Sequence, residues 1–295
     1  MIVIAESGST KCEWLFLNNN GIEIASIRTQ GFNPYFHDSD LVTKTLYENP
    51  EFHSIKDQVC RVYFYGAGCS SNKLNKIIER GLQKVFTKAK IEIFHDLLAA
   101  AYSVYNGKPM ISCILGTGSN SCYFNGKILK ESVPALGFVL GDEAGGCYFG
   151  KQFLADYFYK ALPQEIQEDF TSEYGLTWEK AAREIYGNVH ANVYLASFMP
   201  FIAQYKDHPH VENMIRAGMA KFIGIHILGF PEAYNCEVGF VGSIASVFQD
   251  ILIEEMDKKE LALGSIIQSP IKELVNYHMK NLNLESSNNQ LENNN

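Results

Sequence analysis

The chain has 295 residues, of which 46% are hydrophobic and 20% are charged, and its 25 basic and 33 acidic residues give a net charge of −8. This length is enough for one large or two medium domains, and the composition is that of an ordinary globular protein. An acidic balance without a basic stripe argues against a nucleic acid partner. No stretch approaches the ~18 apolar residues of a membrane span, so we expect no membrane partner.

The seven cysteines favour a reducing compartment. None of them forms a CxxC pair, so the spacing typical of metal sites is absent. The first apolar run is only as long as a strand and has no basic region before it, which argues against a signal peptide. An odd number of cysteines without a secretion signal fits the cytoplasm.

The first third of the chain alternates predicted strands with predicted helices. Apolar runs predict strands at 2–5, 12–17, 22–28, 61–65 and 91–94, and periodicity predicts helices near 39–49, 72–87 and 97–105. Asn-Gly signals hairpins, and the Asn20-Gly21 pair lies between the second and third strands.

The same order starts again at residue 111. The repeated order consists of a strand at 111–115, a Gly-rich turn at 116–120, a strand at 122–124, the Asn125-Gly126 hairpin and a strand near 127–131. This repetition predicts an internal duplication. Residues 146–229 are predicted to be mostly helical, followed by a strand at 237–241 and helices at 244–256 and 270–280. This alternation indicates an α/β fold with mixed sheets. Residues 286–295 are polar and low in complexity, and we expect them to be disordered.

Two turns have the composition of phosphate-binding loops. Ser7-Gly8-Ser9-Thr10-Lys11 follows the first strand, and Gly116-Thr117-Gly118-Ser119-Asn120 follows the strand at 111–115. Small residues let backbone N–H groups crowd around an anion. Two such loops predict two walls of one nucleotide cleft, and therefore a phosphotransferase.

Several common site motifs are absent from the sequence. It has no GxxxxGK[ST], GxGxxG, HExxH or GxSxG segment. His208-Pro209-His210 could be half of a metal site, but we interpret it as a pair of histidines on an exposed loop. Asp96 follows the strand at 91–94 and precedes a helix, so it is either a helix cap or a general base.

Four segments together resemble the N-acetylglucosamine kinase group among the BadF/BadG/BcrA/BcrD-type ATPases, in the superfamily of sugar kinases, Hsp70 and actin. They are 6–11, 116–120, the Gly141-Asp142-Glu143-Ala144-Gly145-Gly146 segment and the Val241-Gly242-Ser243-Ile244-Ala245 segment. The resemblance covers residue 2 to about residue 280. It implies two ribonuclease-H-like, actin-like ATPase domains around a central cleft. These would be 1–108 with about 268–285, and 109–267 with a helical insertion.

The resemblance also implies the activity and the roles of the site residues. The activity is ATP-dependent phosphorylation of an amino sugar, commonly at O6 of N-acetylglucosamine, with ATP and Mg²⁺ as cofactors. Asp96 would be the general base. Glu6 would hold Mg²⁺ through water. The phosphates would contact Ser7, Gly8, Ser9, Thr10, Lys11, Gly116, Thr117, Gly118 and Ser119, the adenosine would contact Gly242 and Ser243, and the sugar would contact Asn33, Asp96, Asn120, Asp142 and Glu143.

For three of these residues a purely structural interpretation stands beside the functional one. Lys11 could point to solvent, Asn33 could initiate an Asn-Pro turn, and Asp96 could cap its helix. Ser7 and Ser9 replace glycines that are common in the family, and Glu6 stands where many relatives have Asp. Serine allows less backbone freedom but adds hydroxyl donors.

Two other functions are compatible with this fold. One is an ATP-driven activator of an acyl-CoA dehydratase or reductase, which holds an iron–sulfur cluster through cysteines. The other is a non-catalytic sugar sensor, against which intact Glu6 and Asp96 argue. A homodimer is expected from the resemblance alone. The sequence leaves open the amino sugar (N-acetylglucosamine, glucosamine or N-acetylmuramic acid), the hydroxyl that is phosphorylated and the pathway.

Overall fold

The computed structural model describes residues 1–280, so the predicted tail at 286–295 lies outside the described residues. The chain forms two compact units. Unit 1 contains Met1–Ser103 and the described residues from Ser269, and unit 2 contains Val104–Gln268. None of the helices in the part of the chain that the structure describes combines the length and the apolar character that a bilayer span requires.

Unit 1 is a five-stranded mixed sheet with helices on both faces. Its strands are β1 (Ile2–Ser7), β2 (Lys11–Leu17), β3 (Glu23–Gln30), β4 (Arg61–Gly66) and β5 (Lys90–His95), in the spatial order β3-β2-β1-β4-β5. β1 pairs antiparallel with β2 and parallel with β4, which pairs parallel with β5. Its helices are α1 (Ser39–Glu48), α2 (Pro50–His53), α3 (Asn72–Val85) and α4 (Asp96–Val104), the last of which ends at the boundary with unit 2.

Alternating side chains of the strands build the two cores of unit 1. Val3 and Ala5 face a core that includes residues of α1 and α3, whereas Ile2 and Ile4 face a second core on the opposite side of the sheet. This period of two is the geometry of a strand that is buried on both faces. The second core is completed by Ala99 of α4 and by a helix over residues 271–280, which we call the returning helix.

Unit 2 repeats the same sheet. Its strands are β6 (Met110–Leu115), β7 (Ser119–Phe124), β8 (Leu129–Lys130), β9 (Glu237–Val241) and β10 (Leu263–Ile267), in the spatial order β10-β9-β6-β7-β8. β6 pairs antiparallel with β7 and parallel with β9, as β1 does with β2 and β4. The repeat predicted from the order of elements is therefore confirmed, as is the α/β class with mixed sheets.

Helices make up most of the long connection between β8 and β9. They are α5 (Gly137–Leu140), α6 (Gly146–Phe158), α7 (Gln164–Tyr174), α8 (Trp178–Gly187), α9 (Ala191–Ala196), α10 (Met199–Gln204) and α11 (Pro209–Phe222), followed by a π-helical turn (Ile223–Ile227). After β9 come α12 (Ser243–Val247) and α13 (Gln249–Asp257). Their apolar sides share one core with the sheet of unit 2.

Three sequence predictions need correction. The strand near 127–131 is only the two-residue β8, and the helix predicted at 244–256 is two helices that meet at Phe248. The interpretation of His208-Pro209-His210 as a loop is wrong. His208 is the N-cap of α11 and pairs with Glu165 at 3.0 Å, while His210 lies in the first turn and pairs with Asp156 at 3.0 Å.

Candidate functional site

The predicted residues of unit 1 gather at one edge of its sheet. Ser7, Gly66 and His95 are adjacent across the parallel strands β1, β4 and β5 and stand at or next to their carboxyl ends. The chain leaves this edge at Gly8 and Asp96. Ligands of open α/β sheets bind at the carboxyl ends of the parallel strands, so this edge is a candidate site.

The first Gly-rich loop is a tight connection between β1 and β2. The Gly8 N–H donates to the Lys11 carbonyl at 3.0 Å, and the buried Ser7 hydroxyl accepts from the Phe32 N–H at 2.7 Å. Gly31 packs directly beneath the loop, because a Cβ there would lie 2.0 Å from the Gly8 carbonyl oxygen. The segment after β3 therefore supports the loop, and Gly31 is a positioning residue that the sequence alone did not indicate.

Asp96 is the first residue of α4 and is partly exposed. Its Oδ1 accepts from the Leu97 N–H at 2.8 Å and lies 3.0 Å from His95 Nδ1. Asp96 is thus a helical residue bonded to the next backbone N–H, and its carboxylate stays partly exposed. A base can occupy such a position, because bonds to the first helical turn fix the carboxylate without covering it.

Glu6 lies in β1 beside other negative charges. Burial, followed by the charges of Asp96 and Glu13, raises its pKa to about 8, although Lys11 opposes the shift. Glu6 and Glu13 are direct neighbours across β1 and β2. The edge therefore holds a concentration of carboxylates whose ionised forms a cation would stabilise.

Lys11 and Thr10 lie at the beginning of β2. Lys11 is the first residue of the strand, outside the turn where the sequence placed it, and its Nζ lies 3.0 Å from Glu13 Oε1. Arg28 also contacts this oxygen of Glu13, at 2.9 Å. The Thr10 carbonyl accepts from the Gly31 N–H at 3.2 Å. The Lys11 ammonium is thus on the exposed side of the loop and already has one carboxylate partner.

Asn33 forms the turn that its Asn-Pro sequence predicts. Its Oδ1 accepts from the Tyr35 N–H at 3.0 Å, and its carbonyl accepts from the N–H groups of Phe36 and His37. A Cβ on Gly68 would lie 2.4 Å from this Oδ1, so the Asn33 amide lies against the loop that follows β4. The turn brings Asn33 to the same edge as the first loop.

In unit 2, backbone hydrogen bonds join the second Gly-rich loop to the chain that follows the Gly-Asp-Glu segment. The loop is shorter than predicted, because β7 begins at Ser119. The Gly146 N–H donates to the Gly116 carbonyl and the Cys147 N–H donates to the Thr117 carbonyl, both at 2.8 Å. These bonds join the first turn of α6 to the loop after β6.

Asp142 is held against this loop by two donors. Its Oδ1 accepts from the Ser119 N–H at 3.3 Å, and its Oδ2 accepts from the Cys147 thiol at 3.4 Å. A Cβ on Gly118 would lie 2.8 Å from the same carboxylate. Burial raises the pKa of Asp142 above its ordinary value, and the Ser119 and Cys147 bonds oppose the shift. Cys147 is a second positioning residue that sequence reasoning missed.

Asn120 and Glu143 flank this arrangement. Asn120 lies in β7 opposite Ile114, and its Oδ1 accepts from the Ser121 N–H at 2.8 Å. The buried Glu143 pairs with His226 at 3.3 Å. Asp142 and Ala144 on either side of it both have a positive φ, of 55° and 57°.

Gly242 and Ser243 connect β9 to α12 next to the second loop. Gly242 has a φ of 126°, and a Cβ there would lie 2.2 Å from the Leu115 carbonyl oxygen. Only glycine fits this position without a shift of the backbone. Ser243 is the first residue of α12. The turn at 242–243 thus lies directly against the end of β6, where the second loop begins.

The structure therefore brings the predicted residues together in two groups. Glu6, the first loop, Asn33 and Asp96 share the strand edge of unit 1, and the second loop, Asn120, Asp142, Glu143 and the 242–243 turn adjoin in unit 2. Within residues 1–280, no three His, Cys, Asp or Glu side chains form a group that could hold a metal ion. All seven cysteines are free, and Cys113 in β6 is fully buried.

Comparison with solved structures identifies similar proteins. A proposed N-acetylglucosamine kinase from Porphyromonas gingivalis is 34% identical, with a TM-score of 0.89, and the match covers 95% of this chain and 99% of that chain. A proposed N-acetylglucosamine kinase from Chromobacterium violaceum is 13% identical, with a TM-score of 0.69 and coverages of 94% and 98%.

A third similar structure is a ROK family glucokinase from Streptomyces griseus in complex with glucose and AMPPNP. It is 13% identical, with a TM-score of 0.55, and the match covers 94% of this chain and 97% of that chain. At this identity, the glucokinase and the Chromobacterium protein support the fold alone. No protein-family model and no curated protein matches the chain.

Proposed function

The chain belongs to the sugar kinase superfamily, in the same family as the Porphyromonas gingivalis protein, and on that premise we propose that it transfers the terminal phosphoryl group of ATP to a hydroxyl of an amino sugar. The observation that carries this proposal is 34% identity along 95% of the chain. We further propose that the chain lies in the BadF/BadG/BcrA/BcrD-type branch, on the four segments named above. ATP is the nucleotide that the resemblance implies, and AMPPNP, which is bound in the glucokinase of similar fold, is an analogue of it.

Asp96 is the proposed general base. The attacking sugar hydroxyl loses its proton as its oxygen bonds to phosphorus and the bond to the leaving ADP oxygen breaks, and a carboxylate within hydrogen-bond range accepts that proton. The contacts of Asp96 with Leu97 and His95 support this role, because they fix the orientation of the carboxylate.

The carboxylates of unit 1 fit a Mg²⁺ ion carried by ATP. Mg²⁺ prefers oxygen ligands and is commonly held by one or two carboxylates together with substrate phosphates and water. Glu6 fits this chemistry because the charges of Asp96 and Glu13 act on it, after burial, to raise its pKa, and a cation would relieve that repulsion. We propose that Glu6 holds the ion through water, and the ion, when bound, would neutralise charge on the phosphates.

The remaining roles follow from the two groups of residues. We propose that the backbone N–H groups of Gly8 and Gly118 and their neighbouring hydroxyls contact the phosphates, and that Gly242 and Ser243 contact the adenosine. Asn33, Asn120, Asp142 and Glu143 would bind the sugar, because amide and carboxylate groups suit its hydroxyls.

N-acetylglucosamine is the proposed substrate, because it is the sugar in the name of the Porphyromonas gingivalis protein. Phosphorylation at O6 is proposed from the resemblance alone. The homodimer and the cytoplasmic location stay predictions from the resemblance and from cysteine usage.

A coupled assay of ADP release over a panel of sugars tests the proposal. We expect turnover with N-acetylglucosamine above that with glucosamine, N-acetylmuramic acid or glucose. Asp96→Asn should lower kcat by roughly 10²–10⁴-fold, the usual contribution of a general base, while ATP binding is retained. Absence of sugar-stimulated turnover would rule out the kinase and leave the sensor, and iron in the purified protein would support the dehydratase activator.

A further inference from the structure

Glu143 is the partner of a buried histidine from a distant part of unit 2. Nε2 of His226 lies 3.3 Å from Glu143 Oε2, and both side chains are less than a tenth exposed. Lys221 lies 3.6 Å from the other carboxylate oxygen, Oε1, and is half exposed. Burial by itself would raise the pKa of Glu143, but the bonds from its own N–H and from His226, with the charge of Lys221, lower it.

A π-helical turn sets the position of His226. The Leu228 N–H donates to the Ile223 carbonyl at 2.9 Å, a bond that spans five residues instead of four. One extra residue in the turn rotates the side chains that follow, and such turns occur frequently at functional sites. The Ser121 hydroxyl donates to the His226 carbonyl at 2.9 Å, and the Phe222 ring stacks on the imidazole at 4.8 Å. The backbone at His226 is therefore held from β7, and its imidazole is held by a ring of its own helix.

The second nitrogen of the imidazole has no partner. Nδ1 of His226 is buried without a hydrogen bond. An unpaired buried polar atom destabilises a protein, so a core that only needed volume would be better served by an apolar side chain. The bond to Glu143 requires the proton on Nε2. The imidazole is thus oriented so that Nε2 bonds Glu143, while Nδ1 is left without a hydrogen bond.

Glu143 stands in a turn that needs outside support. Its neighbours Asp142 and Ala144 both have left-handed backbone conformations. Such conformations are unfavourable for residues other than glycine and persist where the surroundings hold them. A carboxylate anchored by His226 and Lys221 supplies that support in the middle of the turn.

We propose that His226 is a positioning residue of the sugar site. It holds Glu143, and through Glu143 it keeps the turn at 142–144 in the conformation that presents the Asp142 carboxylate beside the Ser119 N–H. The inference rests on the proposed function, because Asp142 and Glu143 are the proposed sugar ligands. The histidine acts through Glu143 and makes no contact with the reacting atoms.

Steady-state kinetics of three variants test this role. His226→Phe keeps a ring that can stack on Phe222 but removes the donor, His226→Gln keeps an amide donor, and Lys221→Met is the control that removes the exposed partner. We expect His226→Phe to raise the KM for the sugar roughly tenfold, about the effect of one lost charge-assisted bond, with the KM for ATP unchanged. His226→Gln should recover most of the loss, and Lys221→Met should have the smaller effect.

Hydrogen exchange gives a second measurement that needs no activity. In the protein without substrate, the amides of residues 142–147 should exchange faster in His226→Phe than in His226→Gln or the wild type. Equal exchange in all three, or equal changes in the KM values for sugar and ATP, would overturn the inference. If the wild type shows no sugar-stimulated turnover, the proposed function fails, and the exchange data still decide whether His226 holds the turn.

Discussion

At the scale of single residues, Glu6 combines a candidate functional position with an unfavourable environment. Burial, Asp96 and Glu13 raise its pKa from 4.5 to about 8. Because the pKa is higher in the folded than in the unfolded protein, folding favours the protonated form. The free energy of unfolding should therefore be unaffected by Glu6 below pH 4.5 and should fall as the pH rises from 4.5 to 8.

The substitution Glu6→Gln tests this conflict between stability and function. In urea unfolding with EDTA present, the variant should be more stable than the wild type at pH 8 by on the order of 1–4 kcal/mol, and the difference should vanish near pH 4.5. The same variant should lose activity, since it lacks the proposed oxygen ligand for Mg²⁺. Exposed Glu51→Gln is the control. A stability difference that is the same at both pH values would contradict the prediction.

Residue chemistry explains which parts of the candidate site the sequence could indicate. The two Gly-rich loops and Asp96 were predictable because small residues and a carboxylate follow apolar strands directly. Gly31, Cys147 and His226 were not, because each acts through a contact that joins distant parts of the sequence. Gly31 meets Gly8, and His226 meets Glu143. Such contacts depend on the tertiary fold, which composition and spacing do not encode.

At the scale of elements, the end of α6 shows a cap with an unfavourable residue. The Ala161 N–H donates to the Asp156 carbonyl at 2.8 Å and the Lys160 N–H donates to the Tyr157 carbonyl at 3.1 Å, which is the Schellman pattern. The residue in the left-handed position of this motif is usually glycine, but here it is Lys160, with a φ of 55°. At the end of α7, Gly175 has the left-handed conformation instead.

Lys160→Gly should therefore stabilise the protein. Removing the Cβ relieves the left-handed strain, and the gain should be about 1 kcal/mol after the larger entropy of glycine in the unfolded chain is included. Urea denaturation measures the difference. Lys160→Ala removes the same charge but keeps the Cβ, so it should leave stability unchanged. A gain in the alanine variant equal to that of the glycine variant would assign the effect to charge.

The elements that the sequence missed share a physical reason. Strands β1, β4 and β6 are continuous apolar runs and were found, whereas β10 contains Gly264 and Ser265 and lies at the edge of its sheet beside β9. Its residues do not alternate cleanly, so tertiary pairing determines its conformation more than local propensity does. The π-helical turn has the apolar periodicity of the helix before it. A hydrogen bond between residues five positions apart cannot be predicted from composition.

At the scale of the whole molecule, the two units have the same strand order but differ in chain continuity. All strands of unit 2 lie within residues 104–268. Unit 1 takes its strands from residues 1–103 but receives the returning helix from a chain that has passed through unit 2. One core of unit 1 therefore depends on residues that are more than 160 positions away in the sequence.

The returning helix covers one face of the unit 1 sheet with buried side chains. Leu274 is fully buried and Ile271 is nearly so. The buried imidazole of His278 stacks on Tyr63 at 3.8 Å and hydrogen-bonds to the Tyr65 hydroxyl at 2.8 Å. At the usual ~1.5–3 kcal/mol for each buried aliphatic side chain, these two residues contribute about 3–6 kcal/mol, which reaches the lower end of the ~5–15 kcal/mol that stabilises a typical domain.

Truncation after Gln268 should therefore unfold unit 1 and spare unit 2. In hydrogen exchange followed by mass spectrometry, residues 1–103 should lose protection, while β6, β7 and β9 keep the protection of the full chain. Truncation after Lys280 is the matched control, because it leaves the returning helix in place, and it should change neither unit. Retained protection of β1 and β4 in the shorter chain would show that unit 1 folds without the side chains of Ile271 and Leu274. Loss of protection in both units at once would show that they fold as one cooperative system.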